Sequence, residues 1–138
     1  MSFLEQLLCL ALIGILASLS LFGYQALITR TRLHADQQII KTALGTARLE
    51  ARADFPSTVH CDSNACTVHT QQGEKSFPLS GQHEIRTQLF PVSAGDTFTF
   101  THQGLTAFHN GTILLQPRDQ PKLERRVVVS AGGRISLK

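Results

Sequence analysis

The chain is predicted to be an α+β protein, one long N-terminal helix whose second half packs on antiparallel β-sheets. Three observations predict this. Residues 6–29 carry no charge, apolar residues then recur at helical spacing as far as Ala51, and beyond Pro56 short β-prone runs alternate with turn residues.

Residues 1–29 form the first element. An uncharged apolar run of this length spans a bilayer core as a helix, since roughly 20 residues at 1.5 Å each cover about 30 Å. One carboxylate, Glu5, stands at its mouth. A charge there is costly by a few kcal/mol and marks a function or a specific partner. A secretory signal would need a basic start, and residues 1–6 hold no Lys or Arg. An ordinary anchor accounts for the apolar run but gives no reason for Glu5.

Residues 30–54 continue the helix as an amphipathic half. Leu33, Ile40, Leu44, Ala47 and Ala51, with Ile39 and Ala43 beside them, make one apolar face, and Asp36, Gln37, Gln38, Lys41 and Arg48 fill the others. Phe55-Pro56 ends the pattern near Asp54. A helix of about 50 residues reaches ~75 Å. A rod of that length with an exposed apolar half suits packing into a filament.

Residues 55–138 are the β-rich domain. Strands are expected over 58–61, 66–70, 75–79, 84–90, 96–102, 112–116, 125–130 and 134–137. Phe98, Phe100, Ile113 and Leu115 alternate with polar residues and give the sheets a buried face. Asn110-Gly111 and Gly132-Gly133 read as two-residue hairpin turns. The segment from Arg118 to Glu124, with Pro117 and Pro121, reads as a mobile loop. The chain is 138 residues long, so the part beyond the anchor makes one domain with one core, and the whole chain's eight Phe and no Trp read as a Phe-centred core.

Cys61 and Cys66 flank the polar turn sequence Asp-Ser-Asn-Ala and would face each other across a hairpin, so a disulfide is expected. No second pair completes a zinc site, and no metal is expected. A bridge implies an oxidising compartment outside the cytosol. Arg30 and Arg32 after the apolar run argue the other orientation by the positive-inside rule; the cysteine pair and the position of Glu5 are the more specific signals. Cys9 reads as a small apolar residue of the anchor.

No enzyme is expected. The six histidines have no His-Glu-x-x-His spacing, and the chain has no nucleophile elbow and no phosphate loop, so no catalytic residue and no cofactor is assigned. His60 and His69 would share one face of the Cys61–Cys66 hairpin, diagonally placed. The net charge is +3, and from Pro117 onward six bases stand against two acids. With a two-residue loop at Gly132-Gly133, Ala131 would face Arg134 and the period of two would put Arg125, Arg134 and Lys138 on one face. That stripe would contact DNA phosphates without reading bases. An edge hairpin also carries arginines merely to stay soluble.

The N-terminal segment resembles that of mature type IV pilins and type II secretion pseudopilins. Leu4, Glu5, Leu7, Gly14-Ile15-Leu16-Ala17 and Tyr24-Gln25 fall at matching positions when Met1 is residue one of the processed chain. Phe22-Gly23 stands where many members carry proline. Further on, Phe98-Thr99-Phe100, Gly104, Asn110-Gly111-Thr112-Ile113, Arg126-Val127-Val128-Val129-Ser130 and Gly133-Arg134-Ile135 resemble the GspH/FimT branch. The resemblance implies a minor pilin that primes or caps pilus assembly, a single-pass inner-membrane protein with a periplasmic C-terminal domain. It implies processing by a prepilin peptidase, an N-methylated Met1, and a Glu5 that pairs with the N-terminal amine of a neighbouring pilin subunit. The H pseudopilin of type II secretion shares these features. Some FimT-like members bind DNA for natural transformation through a Gly-Arg-x-Arg turn; here the tetrad is Gly133-Arg134-Ile135-Ser136.

Overall fold

The computed structural model describes residues 2–53, 56–90, 95–107 and 109–138. Among these residues one helix, α1 (Phe3–Ala53), is followed by eight strands: β1 (Ser57–Cys61), β2 (Ala65–Thr70), β3 (Gly73–Pro78), β4 (His83–Phe90), β5 (Thr97–Phe100), β6 (Asn110–Pro117), β7 (Arg125–Val129) and β8 (Ile135–Leu137). The helix passes through Gly23 without a break. The expected helix end at Asp54 and Phe55 lies outside the described residues. The chain divides into two compact units, Met1–Arg32 and Leu33–Lys138.

The first unit is helical from Phe3, and its large apolar side chains, among them Leu8, Ile13, Leu16 and Leu19, are exposed. By length and composition it is apolar enough to cross a membrane. Its polar side chains fit such surroundings. Ser18 Oγ donates to Ile15 O at 2.8 Å, Thr29 Oγ1 to Gln25 O at 3.1 Å and Thr31 Oγ1 to Leu27 O at 2.9 Å, so these hydroxyls need no water.

In the second unit, the helix carries a buried stripe of Leu33, Ile40, Ala43, Leu44, Ala47 and Ala51. Two four-stranded antiparallel sheets share one core with it, in the orders β3-β2-β1-β5 and β4-β6-β7-β8. The first contributes Val59, Val68, Phe98 and Phe100, the second Leu89, Ile113, Leu115, Val127 and Val129. Burial alternates along β1, β5 and β6 as a sheet covered on one face requires. Alanines on the stripe let the backbones come close: Ser57 Oγ donates to Ala47 O at 2.6 Å from the first residue of β1.

The eight expected strands are all present, each within a few residues of its expected bounds. β5 is shorter than expected because Thr101 and His102 leave it for a turn closed by Gly104 N to Thr101 O at 2.7 Å. Residues 118–124 are fastened by Gln120 N to Pro117 O (3.3 Å), Leu123 N to Gln120 O (2.9 Å) and Gln116 Nε2 to Pro121 O (2.5 Å), with Leu123 against the core.

Two glycine readings are corrected. Asn110-Gly111 is not a turn: both residues belong to β6, where Gly111 lies opposite Leu89 on one side and Val129 on the other. The glycine is there for space, since a Cβ would lie 2.4 Å from Leu89 Cδ2 and 2.6 Å from the Phe98 ring. Gly132-Gly133 does turn the chain, but in a three-residue loop. Ser130 N donates to Arg134 O at 3.0 Å and Gly133 N to Ser130 O at 2.8 Å, so Ser130, not Ala131, faces Arg134. The extra residue is Gly133, at φ +72°, in the left-handed region open to glycine. Its position is also tight, a Cβ falling 2.1 Å from Gly104 O.

Gly111→Ala is expected to lower the stability of the full chain by about 1–3 kcal/mol through overpacking against Phe98, whereas Gly132→Ala, with no neighbour nearer than 3.9 Å, changes it by less than about 0.5 kcal/mol. Urea melts in detergent check this; equal shifts for the two variants contradict it.

Candidate functional site

Glu5 lies in the first turn of α1. Its Oε2 accepts the Ser2 N–H at 3.3 Å, while Ser2 O accepts Glu5 N at 3.0 Å and Gln6 N at 3.2 Å. Ser2 is therefore the N-cap and Glu5 the third helical residue, the spacing of a capping box. The sequence reading missed this, although Ser2-Phe3-Leu4-Glu5 displays it. The carboxylate also offsets the positive end of the helix dipole. Met1, the expected processed terminus, lies outside the described residues.

Cys61 and Cys66 lie opposite each other in the β1–β2 hairpin and are joined, with Cα atoms 4.0 Å apart. Asp62 shapes the turn between them. Its Oδ1 accepts Ala65 N at 2.9 Å and Asn64 N at 2.7 Å. Those two backbone donors, Ala65 first, hold its carboxyl below the ordinary aspartate range. His60 and His69 do share a face diagonally, opposite Thr67 and Thr58, and His69 Nδ1 is 3.8 Å from Glu74 Oε2. No group of three or more metal-ligating side chains occurs among the described residues.

The structure brings Asp36, which the helical pattern places off the apolar face, together with Ser80 and His83 from beyond the helix. Asp36 is 4% exposed and His83 2%. Asp36 Oδ2 lies 2.6 Å from His83 Nδ1 and accepts Ser80 Oγ at 2.6 Å, and Asp36 Oδ1 accepts Ser80 N at 3.2 Å. A Ser-His-Asp set invites comparison with a hydrolytic triad. Such a triad bonds its acid through one imidazole nitrogen and its serine through the other. Here Ser80 Oγ, at 3.3 Å, meets the same Nδ1 that Asp36 holds, and it donates to the carboxylate, so the imidazole is not placed to take its proton. The three residues fasten α1 to the start of β4. Gln37, also buried, fastens it to the last strand pair, its Nε2 donating to Arg126 O at 2.9 Å and Lys138 O at 3.2 Å.

These contacts give the second sheet two distinct ends. At one, held by Asp36 and Gln37, His83 lies opposite Pro117, Leu115 opposite Arg125, and Arg126 and Lys138 exchange backbone bonds at 2.8 and 2.9 Å. At the other, Val129 lies opposite Ile135, and Arg48 Nε donates to Gly104 O at 3.0 Å under the Gly133 turn. Thr106 ties that turn down, its N and Oγ1 reaching Ala131 O at 3.3 and 3.1 Å.

This overturns the expected stripe of Arg125, Arg134 and Lys138. With Val127 opposite Leu137 and Val128 opposite Ser136, Arg126 and Lys138 share the face of Arg134, while Arg125 falls on the face of buried Val127 and Val129. One added loop residue is the cause, since a register shift of one exchanges the faces. Arg134 is moreover at the turn, away from Lys138 at the strand end. Arg126 is paired with Glu124.

The fold matches two crystal structures of the type IV minor pilin FimU of Pseudomonas aeruginosa (strain PAO1). In space group P21 the match has a TM-score of 0.63 at 18% identity, over 80% of this chain and 90% of that one. In P65 it has a TM-score of 0.57 at 17% identity, over 77% and 92%. The chain thus has a pilin-like fold, a long helix on two antiparallel sheets. No protein-family model matches the chain, and no curated protein does.

Asp36→Ala would strand the His83 and Ser80 side chains and is expected to cost about 2–4 kcal/mol. Asp36→Asn, which keeps acceptor and volume, should cost less. Chemical denaturation ranks the two; a loss under roughly 0.5 kcal/mol for Asp36→Ala contradicts the fastening role. The Asp62 carboxyl should titrate below the ordinary value of about 3.9. Because its folded pKa is the lower one, its contribution is complete above that unfolded value and is lost as pH falls through the folded value. The stability gap between wild type and Asp62→Ala should therefore narrow in acid, and a gap that widens there contradicts the assignment.

Proposed function

We propose that this chain is a minor type IV pilin of the GspH/FimT kind, a structural subunit that primes or caps pilus assembly. The observation that carries the reading is the pairing of a pilin-like fold with an exposed apolar helix, Glu5 in its first turn. The apolar helix stores the subunit in the inner membrane as a single pass, with the C-terminal domain in the periplasm, where the Cys61–Cys66 bridge is stable. A prepilin peptidase frees the N-terminus at Met1, which is methylated, and the subunit then associates with other pilin subunits through the apolar segment.

Glu5 acts in two ways under this proposal. Within the subunit it caps α1; between subunits its charge meets the N-terminal amine of a neighbour. A carboxylate facing lipid is strongly disfavoured until such a pairing neutralises it, which biases the subunit toward assembly. No residue is assigned a catalytic role and no cofactor is required.

The H pseudopilin of type II secretion rests on the same features, and the genes flanking this one separate the two. A role in DNA uptake has less behind it, since Arg125 leaves the face of Arg134, Arg126 is paired with Glu124, and Ser136 replaces the second arginine of the tetrad.

Glu5→Gln separates the two roles, because glutamine serves a capping box as glutamate does but carries no charge. Both Glu5→Gln and Glu5→Ala should stay membrane-inserted with a folded C-terminal unit and enter sheared filaments at least tenfold less than wild type, from the roughly 2.5–3.5 kcal/mol of an unpaired charge. Wild-type incorporation of Glu5→Gln beside failure of Glu5→Ala would leave Glu5 as a helix cap only.

A further inference from the structure

The bases of the C-terminal segment gather at one end of the second sheet. Arg118, Lys122, Arg125 and Lys138 are all exposed, and among the described residues no ion pair engages their side chains. They occupy the β6–β7 connection, the start of β7 and the residue after β8, whereas Arg134 is at the opposite end. Acids at the same end are mostly engaged: Glu84 with Arg86, Glu124 with Arg126 and buried Asp36 with His83, leaving Asp119. The surface that remains is positive.

This is also the end at which the chain enters the unit. Gln37 holds the Arg126 and Lys138 carbonyls, and Asp36 holds His83. Only seven residues separate Gln37 from Thr29, the last residue of the uncharged run, so the eight steps between them reach no more than roughly 29 Å even if fully extended. A tether that short keeps the basic end at a high effective concentration at the membrane surface, so weak contacts that would fail in free solution are populated.

We infer that Arg118, Lys122, Arg125 and Lys138 form a docking surface for anionic phospholipid headgroups, which holds the folded domain against the membrane before assembly. The inference rests on the membrane-anchored reading above. Phosphodiester groups match the charge, and clustered Lys and Arg next to a span are the recognised form of such recognition. The contact is electrostatic and screened over about 10 Å at 0.1 M salt, so it is reversible and releases the domain when a filament withdraws the anchor.

The test uses the full chain in nanodiscs of purely zwitterionic lipid or of zwitterionic lipid with anionic phosphatidylglycerol. A water-soluble acylating reagent labels amines, and mass spectrometry reads each site. Labelling of Lys122 and Lys138 is expected to slow roughly threefold or more in the anionic discs, to recover in high salt, and to stay unchanged at Lys75 of β3, which pairs with Glu50 of α1. Arg118→Glu with Arg125→Glu should abolish the protection of Lys138, and Arg134→Glu should not. Insertion into both discs with equal labelling overturns the headgroup contact and leaves the anchor intact. Failure to insert overturns both. Protection by duplex DNA in zwitterionic discs, with none from anionic lipid, overturns it in favour of nucleic acid.

Discussion

The second half of α1 has to lose its apolar stripe to two sheets at once, and the rest of the domain follows from that. Neither four-stranded sheet covers its own inner face; Phe98 and Phe100 from one and Ile113, Leu115, Val127 and Val129 from the other all enter the core that Ile40, Ala43, Leu44 and Ala47 complete. Burial of Leu33, Ile40 or Leu44 is worth about 1.5–3 kcal/mol each, against roughly 0.5–1.5 for a single hydrogen bond. Apolar burial therefore supplies the stability. The polar contacts decide which residue of the helix meets which end of the sheets. Asp36 and Gln37 find their partners at His83, Ser80 and the last strand pair, and a small rotation that kept them buried away from those partners would leave polar groups unpaired.

Much of this was legible in the residues themselves. Helical spacing from Leu33 to Ala51 and the β-prone runs after Pro56 reflect which side chains must leave water, and the eight strands and the Cys61–Cys66 bridge follow from the same local signals. What was not legible depended on neighbours distant in the chain. Asp36 and Gln37 look like solvated positions until the acceptors and donors that receive them are known. Asn110-Gly111 has the composition of a turn, yet the Phe98 ring needs the missing side chain. The β7–β8 register turned on whether Gly133 counted as turn or strand, and one residue of difference moved Arg125 to the other face. At Glu5 the local signal was present and was outweighed by the partner expected for its charge.

The two units meet opposite demands from one continuous helix. Up to Arg32 the large apolar side chains point outward and hydroxyls turn to their own backbone, the arrangement a lipid or protein interior rewards. From Leu33 onward the stripe that runs to Ala51 turns to the sheets, Asp36 is buried with His83, and Lys41 and Arg52 are exposed. A chain built this way has spent its globular core on one half of the helix and left the other half for an external partner. Under the proposed function that partner is first the bilayer and then the apolar helices of other pilins. Under the same proposal the basic end of the second sheet belongs to the first of these states and Glu5 to the passage between them.

The proposal that the apolar segment assembles with other pilins is tested most directly by photocrosslinking. Benzoylphenylalanine placed at Leu8, an exposed position of the segment, would be irradiated in cells making filaments. The account predicts a covalent adduct whose mass and peptides identify the N-terminal helix of another pilin subunit. Adducts to lipid alone, in cells whose filaments are being made, would contradict it.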